Sequence, residues 1–171
     1  MPVKPMEYIP VEHQQALAQR YRTGAIIVMA FCVSVLLYMV IAKFITVDDI
    51  KPGVETWQQP VYSAAIALGV LVVALRRILM SKSLMATATQ RGAGAVLQHL
   101  FTMTVIICVL AEISAISGLV LYFMTGNYQY SLRLGGVSLV VLIYTFPRKG
   151  EWARAVAACA KTQTGTSQTA R

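Results

Sequence analysis

Residues Ala95–Met124 read AVLQHLFTMTVIICVLAEISAISGLVLYFM, and Glu112 is the one formally charged side chain among them. A helix needs about 20 mostly apolar residues to cross the hydrocarbon core of a bilayer. This run is longer than that, so a helix built from it must tilt or extend beyond the bilayer. The stretch therefore predicts a transmembrane helix and indicates an integral membrane protein.

The composition of the whole chain agrees with this interpretation. Of the 171 residues, 57% are hydrophobic and 13% are charged, whereas a typical soluble domain carries about 25% charged residues. A soluble domain has no place to bury so much apolar surface, and a disordered chain is far less hydrophobic. The three Cys residues form no C-x-x-C pair, so neither a zinc knuckle nor a thioredoxin-like redox centre is indicated.

Three shorter apolar runs accompany the first: Gly24–Ala42, Val61–Leu75 and Leu134–Phe146. Pro60 comes before the second run as a first-turn proline, and Pro147 ends the last run. Together the four runs predict an all-α integral membrane protein, a four-transmembrane-helix bundle.

These runs divide the chain into three parts. We expect a cytoplasmic N-terminal segment at 1–23, the transmembrane domain at 24–146 and a basic, polar tail at 147–171. Within the first part, Val11–Tyr21 is expected to form a short helix on the membrane surface. The tail from Lys161 onward is polar and rich in small residues, which predicts a flexible segment.

The distribution of Lys and Arg predicts the orientation. Twelve of the 15 basic residues fall in the N-terminal segment, the loop between the second and third runs, and the tail, and three fall elsewhere. Because basic residues concentrate on the cytoplasmic side, we expect both termini and the Arg76–Arg91 loop in the cytoplasm. The pattern predicts a multi-pass protein of a prokaryotic-type cytoplasmic (inner) membrane. The formal charge of +8 then reflects topology and not nucleic-acid binding.

Glu112 carries the candidate chemistry, because the other six acidic residues lie outside the apolar runs. It is 13 residues from His99 and 12 from Met124, which places it near the bilayer midplane. A charge at that depth costs about 3 kcal/mol or more, so the neutral acid is favoured and a functional role is the default hypothesis. Two interpretations stay open: the carboxyl group binds and releases a proton or cation, or it is a structural hydrogen-bonding group between helices.

Hydroxyl groups are the expected partners of this carboxyl group. Ser34 and Ser138 lie midway along the first and fourth runs, and Ser114 is on the same helix as Glu112. An unsatisfied polar group in lipid costs several kcal/mol, so we expect Glu112 to point into the bundle or into a protein interface.

A stripe of small residues borders Glu112. Its members recur every three or four positions and so share one helix face, which allows close approach of neighbouring helices in lipid. We expect this face to pack against the other helices; it consists of Thr104, Cys108, Ala111, Ala115 and Gly118.

The segment Leu100–Phe123 resembles the carboxyl-bearing helix of rotary ATPase proteolipids, the subunit c family. In that family an acidic residue sits in the middle of a helix within a pattern of the form A-E-x-x-A-x-x-G-L. Ala111, Glu112, Ala115, Gly118 and Leu119 fit this pattern. The resemblance covers about one helix of the chain, and it implies that Glu112 carries a proton or a sodium ion reversibly.

No enzyme active site and no cofactor are predicted. The chain has no P-loop, no G-x-G-x-x-G and no nucleophile-base arrangement. His13 and His99 are interpreted as polar residues at the membrane interface and not as metal ligands, with haem or chlorophyll binding at His99 as the alternative. Bound lipid is expected.

Two functions from different classes follow from the sequence. The first is a non-catalytic accessory or scaffold subunit of a larger respiratory or photosynthetic membrane complex. The alternative is a proton- or cation-translocating, proteolipid-like subunit in which Glu112 is the carrier. The expected partners are membrane lipids and other membrane-protein subunits, or further copies of this chain.

Overall fold

A computed structural model describes residues 11–45, 55–79 and 92–169 of the chain. Every regular element in these residues is an α-helix, as the sequence predicts. The helices are α1 Val11–Phe44, α2 Glu55–Leu79, α3 Ala93–Thr125, α4 Tyr128–Tyr144 and α5 Lys149–Thr169.

Three of these helices are long and apolar enough to cross a membrane: α1, α2 and α3. Helix α4 has 17 residues and joins them only if it is counted together with the first part of α5, after the break that follows Tyr144. The fold is therefore an all-helical protein with three or four candidate membrane spans.

Glycine and asparagine set the boundary between α3 and α4. The backbone N–H of Gly126 donates to Tyr122 O at 2.7 Å, and Gly126 has a φ of 69°. This left-handed conformation is the usual way in which glycine ends a helix. Asn127 is the N-cap of α4, since its Oδ1 accepts from the backbone N–H of Gln129 at 3.0 Å. The connection between the two helices is thus Gly126 and Asn127 alone.

Several helix bounds differ from the sequence-based expectations. Helix α1 is continuous from Val11, so the predicted surface helix and the first span are one helix of 34 residues. Helix α2 begins at Glu55, so Pro60 lies inside it and not in its first turn. Apolar runs mark where a helix meets lipid, whereas the backbone helix continues through flanking polar residues.

Helix α4 begins six residues before the predicted run, at Tyr128. Helix α5 continues to Thr169, through the tail that we expected to be flexible. Arg76 and Arg77, the start of the predicted middle loop, lie in α2. Residues 80–91 of that loop and residues 46–54 lie outside the described residues, as does the side chain of His13.

The described chain forms two compact units. The first unit combines the beginnings of α1 and α3 with α5. Tyr21 and Trp152 meet there edge to face, with ring centroids 6.2 Å apart. The buried side chains of this unit's core are Leu17, Ala93, Val96, Leu97, Leu100, Trp152, Ala153, Val156, Ala157 and Cys159.

The second unit contains the rest of α1 and α3 together with α2 and α4. Its outward faces are apolar: Val33 of α1, Val70 of α2 and Ile143 of α4 each expose more than 60% of their surface. Exposed apolar side chains of this kind suit contact with lipid or a partner protein. The main buried cluster of the unit consists of Val28, Val35, Val72, Ile107, Cys108, Ala111, Ala115, Val141 and Leu142.

Candidate functional site

The carboxyl group of Glu112 is bound by two hydroxyl groups of α1. Ser34 Oγ and Tyr38 OH each donate to Glu112 Oε1 at 2.9 Å. The two donors are four residues apart, so they lie one turn from each other on the same face of α1. A single turn of α1 therefore presents a two-hydroxyl site to the acid on α3.

The second carboxyl oxygen, Oε2, differs from Oε1 in its hydrogen bonding. No described side chain donates to Glu112 Oε2, and the hydrogen bonds of the carboxyl group all end on Oε1. Glu112 as a whole is half-buried, and its neighbour Ala111 is buried. The carboxyl group thus has one oxygen held in place by α1 and one oxygen that no described side chain holds.

The surroundings of these hydrogen bonds are apolar, which increases their strength. Val35 of α1 and Cys108 of α3 are fully buried in the same unit, and Cys32 and Met39 pack against that cluster. Water competes poorly for polar groups in such surroundings, so a hydrogen bond is stronger there and an unmade one is more costly.

The other two predicted serine partners do not reach the carboxyl group. Ser138 Oγ of α4 donates to the backbone oxygen of Ala111 at 2.7 Å. Ser114 Oγ donates to the backbone oxygen of Ala65 in α2 at 3.3 Å. Both serines are buried, at 1% exposure each. Of the three serines named from the sequence, the structure brings only Ser34 to Glu112.

These contacts share one turn of α3. Glu112 bonds to α1, Ala111 accepts from α4, and Ser114 donates to α2. Residues 111–114 therefore form two side-chain hydrogen bonds to α1 and one each to α2 and α4. We call this turn the hydrogen-bonding turn of α3.

Most of the predicted small-residue face is buried. Cys108, Ala111 and Ala115 are at most 2% exposed. At Gly118 an added Cβ would lie 2.9 Å from Leu134 Cβ and 3.1 Å from the backbone oxygen of Tyr130. Thr104 is half-buried and donates to Leu100 O of its own helix. The face thus packs mainly through its four smaller members.

Two further polar contacts were not expected from the sequence. Gln58 Nε2 donates to Tyr130 OH at 2.5 Å, and Tyr62 packs edge to face on Tyr130. Arg76 Nη1 donates to Tyr144 O at 2.6 Å, and its guanidinium lies 4.8 Å from the centre of the Tyr144 ring. A cation at the carboxyl end of a helix is favourable, so Arg76 stabilises the last turn of α4.

His99 is the histidine whose side chain the structure describes. Its Nε2 is buried without a hydrogen-bond partner in the described part of the chain. No group of three or more His, Cys, Asp or Glu residues with metal-binding geometry occurs among the described residues. Haem or chlorophyll binding at His99 stays a sequence-based alternative.

Comparison with known proteins found no matching family model, no matching curated protein and no matching solved structure. The resemblance of Leu100–Phe123 to the rotary ATPase proteolipids therefore stays a hypothesis from the sequence.

Proposed function

We propose that this protein is a non-catalytic accessory subunit that helps to hold a larger membrane complex together, and that Glu112 is a structural group in it. The observation that carries this proposal is the hydrogen-bonding turn of α3, which ties α1, α2 and α4 to one helix. A catalytic or transport site would concentrate its polar groups on one substrate position. Here the polar groups are spread over three helix pairs.

The energetics favour a role in positioning. Side-chain hydrogen bonds between membrane helices contribute about 0.6 kcal/mol each on average, so the four bonds of this turn add little to total stability. Their main effect is to fix depth and rotation, because a helix that slides or turns leaves a buried polar group unsatisfied. A helix bundle with fixed outer faces is what a scaffold needs.

The apolar outer faces support the second half of the proposal. Leu36 and Leu37 of α1 and Val140 of α4 are about half or more exposed within the second unit. In a membrane these faces contact lipid or neighbouring subunits. We propose that other subunits cover part of them, in a multi-pass protein of the cytoplasmic membrane whose termini both face the cytoplasm.

The test uses two variants at one position. Glu112→Gln keeps an oxygen that accepts from Ser34 and Tyr38, whereas Glu112→Leu removes the acceptor. We expect the Gln variant to co-purify with its partner subunits in the wild-type ratio and the Leu variant to lose most of that association. Val120→Leu, at an exposed position of the same helix, serves as the control. Full association of the Leu variant would overturn the structural role.

Co-purification also separates the complex from an oligomer of this chain. Solubilised from native membranes, an accessory subunit is recovered in a fixed ratio with other proteins. Recovery of this chain alone, as a ring or another homo-oligomer, would contradict the accessory role and favour the carrier.

One observation favours the second candidate, a proton- or cation-translocating subunit. Glu112 Oε2 receives no hydrogen bond from a described side chain, so that oxygen can bind and release a proton while Oε1 stays held by α1. The resemblance to proteolipids points to the same role for this residue.

Carbodiimide labelling distinguishes the carrier from the structural group. A carrier carboxyl group reacts fast, and sodium or high pH suppresses the reaction. A structural carboxyl group reacts slowly and independently of sodium. Glu112→Gln is the control, since it removes the reactive group and keeps the fold. Fast, sodium-sensitive labelling together with normal assembly of the Gln variant would replace the accessory role with the carrier role.

A further inference from the structure

A polar cleft lies in the first unit, between the beginnings of α1 and α3. Its volume is about 400 Å³, which is enough for a phosphate group and the atoms attached to it. The cleft is lined by Ala16, Gln19, Arg20, Thr23, Gln98 and Phe101.

Arg20 is the cation of this cleft, and its orientation is fixed. Its Nη1 donates to Gln98 Oε1, so the amide nitrogen of this cleft-lining residue stays a further donor. The Thr23 hydroxyl donates to Gln19 O on the same wall. Arg20 forms no ion pair with any carboxylate among the described residues, so its hydrogen bond to a neutral amide oxygen leaves its positive charge available to an anion.

The position of Arg20 along the chain indicates where such a charge operates. Arg20 precedes the apolar run Gly24–Ala42 by four residues, about 6 Å along a helix. At that distance from an apolar span a basic side chain lies at the level of lipid headgroups, whichever side of the membrane it faces. Phe101 supplies an apolar wall to the same cleft.

We propose that this cleft binds the phosphate group of an anionic membrane lipid. The planar guanidinium of Arg20 matches two phosphate oxygens at once, and the amide nitrogen of Gln98 donates to a third position on the headgroup. The glycerol and the first part of an acyl chain lie against Phe101.

The experiment compares Arg20→Gln with Arg22→Gln. Arg22 is exposed, lies two residues away and does not line the cleft, so both variants lose one positive charge near the same interface. Each full-length protein is placed in nanodiscs of phosphatidylcholine with a minor share of phosphatidylglycerol. The phosphatidylglycerol retained after gentle release is measured by native mass spectrometry.

We expect Arg20→Gln to weaken phosphatidylglycerol binding about tenfold, because it removes charge-assisted hydrogen bonds, and Arg22→Gln to change it less than about twofold. Gln98→Leu keeps the charge and removes the amide donor, so we expect a smaller loss of about threefold. Thermal unfolding in phosphatidylcholine alone verifies that each variant is folded. If Arg20→Gln does not fold, the proposal is tested by comparing the phosphatidylglycerol binding of Gln98→Leu with that of Arg22→Gln.

Two outcomes overturn the proposal. Equal retention by the Arg20 and Arg22 variants would show a general electrostatic attraction in place of a site. Displacement of phosphatidylglycerol by millimolar inorganic phosphate, with the same dependence on Arg20, would assign the cleft to a free phosphate compound in place of a lipid.

Discussion

The two donors to Glu112 differ in what they reveal about the site. Ser34 has a short side chain, so its hydrogen bond to Oε1 requires α1 and α3 to lie close together at this level. Tyr38 has a long side chain and reaches the same oxygen from one turn further along α1. The serine bond thus requires a short distance between the two helices, and the tyrosine bond fixes their rotation about the helix axes.

We expect Ser34→Ala and Tyr38→Phe each to lower the free energy of unfolding by about 0.6 kcal/mol, the average for such bonds in membrane proteins. Unfolding in mixed micelles with increasing denaturing detergent measures the change. Ser117→Ala is the control for the serine, since the Ser117 hydroxyl bonds to Ile113 O of its own helix. Tyr144→Phe is the control for the tyrosine, because Tyr144 uses its ring and backbone oxygen in the contacts described. A loss in the controls as large as in the test variants would refute the contribution of the Glu112 bonds.

From the sequence, Glu112 and Ser34 were predicted to lie at the same depth, but Tyr38 was not identified as a second donor. Counting residues from the ends of apolar runs gives the level of a side chain to about one turn, and Ser138 and Ser114 do lie near that level. It does not give rotation about the helix axis, so the serines that bond to backbone oxygens looked equivalent to Ser34. Tyr38 was missed because a search by depth ignores how far a long side chain reaches. Its spacing of four residues from Ser34 could have indicated it, because that spacing places both side chains on one face of α1.

At the scale of elements, α3 and α4 pack through glycine. The backbone of α4 approaches Gly118 so closely that a methyl group would meet backbone atoms of Tyr130 and Ser131. Backbone atoms give way less easily than the end of a side chain, so this contact sets the distance between the two helices.

Gly118→Ala is therefore expected to destabilise the protein by about 1–3 kcal/mol, the usual cost of overpacking. Gly136→Ala is the matched control on α4, since an added Cβ there meets no atom within 4 Å. The control is expected to be neutral, or stabilising by up to about 1 kcal/mol, because alanine favours a helix more than glycine does. Thermal unfolding in detergent measures both. Equal behaviour of the two variants would contradict the close approach at Gly118.

The bounds of α3 were predicted well, and those of α4 were not. The predicted third run, Ala95–Met124, differs from α3 by two residues at its start and one at its end. Its apolar residues extend through nearly the whole helix, so hydropathy and helix coincide. Helix α4 carries Arg133 and polar residues in its first turns, so hydropathy detects only its second part. Gly126 and Asn127 indicate the start of α4 better than hydropathy does, because glycine often ends a helix and asparagine often begins one.

At the scale of the whole molecule, the all-helical fold class could be predicted because it follows from composition and the length of apolar runs. The division into two compact units could not. It depends on which faces of α1, α3 and α5 meet, and the periodicity that would indicate those faces is weak in α1 and α3.

The proposed topology predicts the accessibility of introduced cysteines. In a background without Cys32, Cys108 and Cys159, single cysteines at Lys82 and Arg154 are expected to resist a membrane-impermeant maleimide applied to intact cells. A cysteine at Gln129, next to the connection between α3 and α4, is expected to react. The reason is the distribution of the basic residues, which concentrate on the cytoplasmic side. External labelling at position 82 or 154 would refute the orientation.

The connection of Gly126 and Asn127 has a consequence for biogenesis. Helix α4 spans about 25 Å at 1.5 Å per residue, which is less than the hydrocarbon thickness of about 30 Å, so it is a poor insertion signal by itself. Because the linker has two residues, α4 follows α3 directly as the chain leaves the ribosome and stays next to it. We therefore expect α4 not to insert independently of α3. We expect the two to enter the bilayer as a preformed helical hairpin, with the strongly apolar partner carrying the weak one.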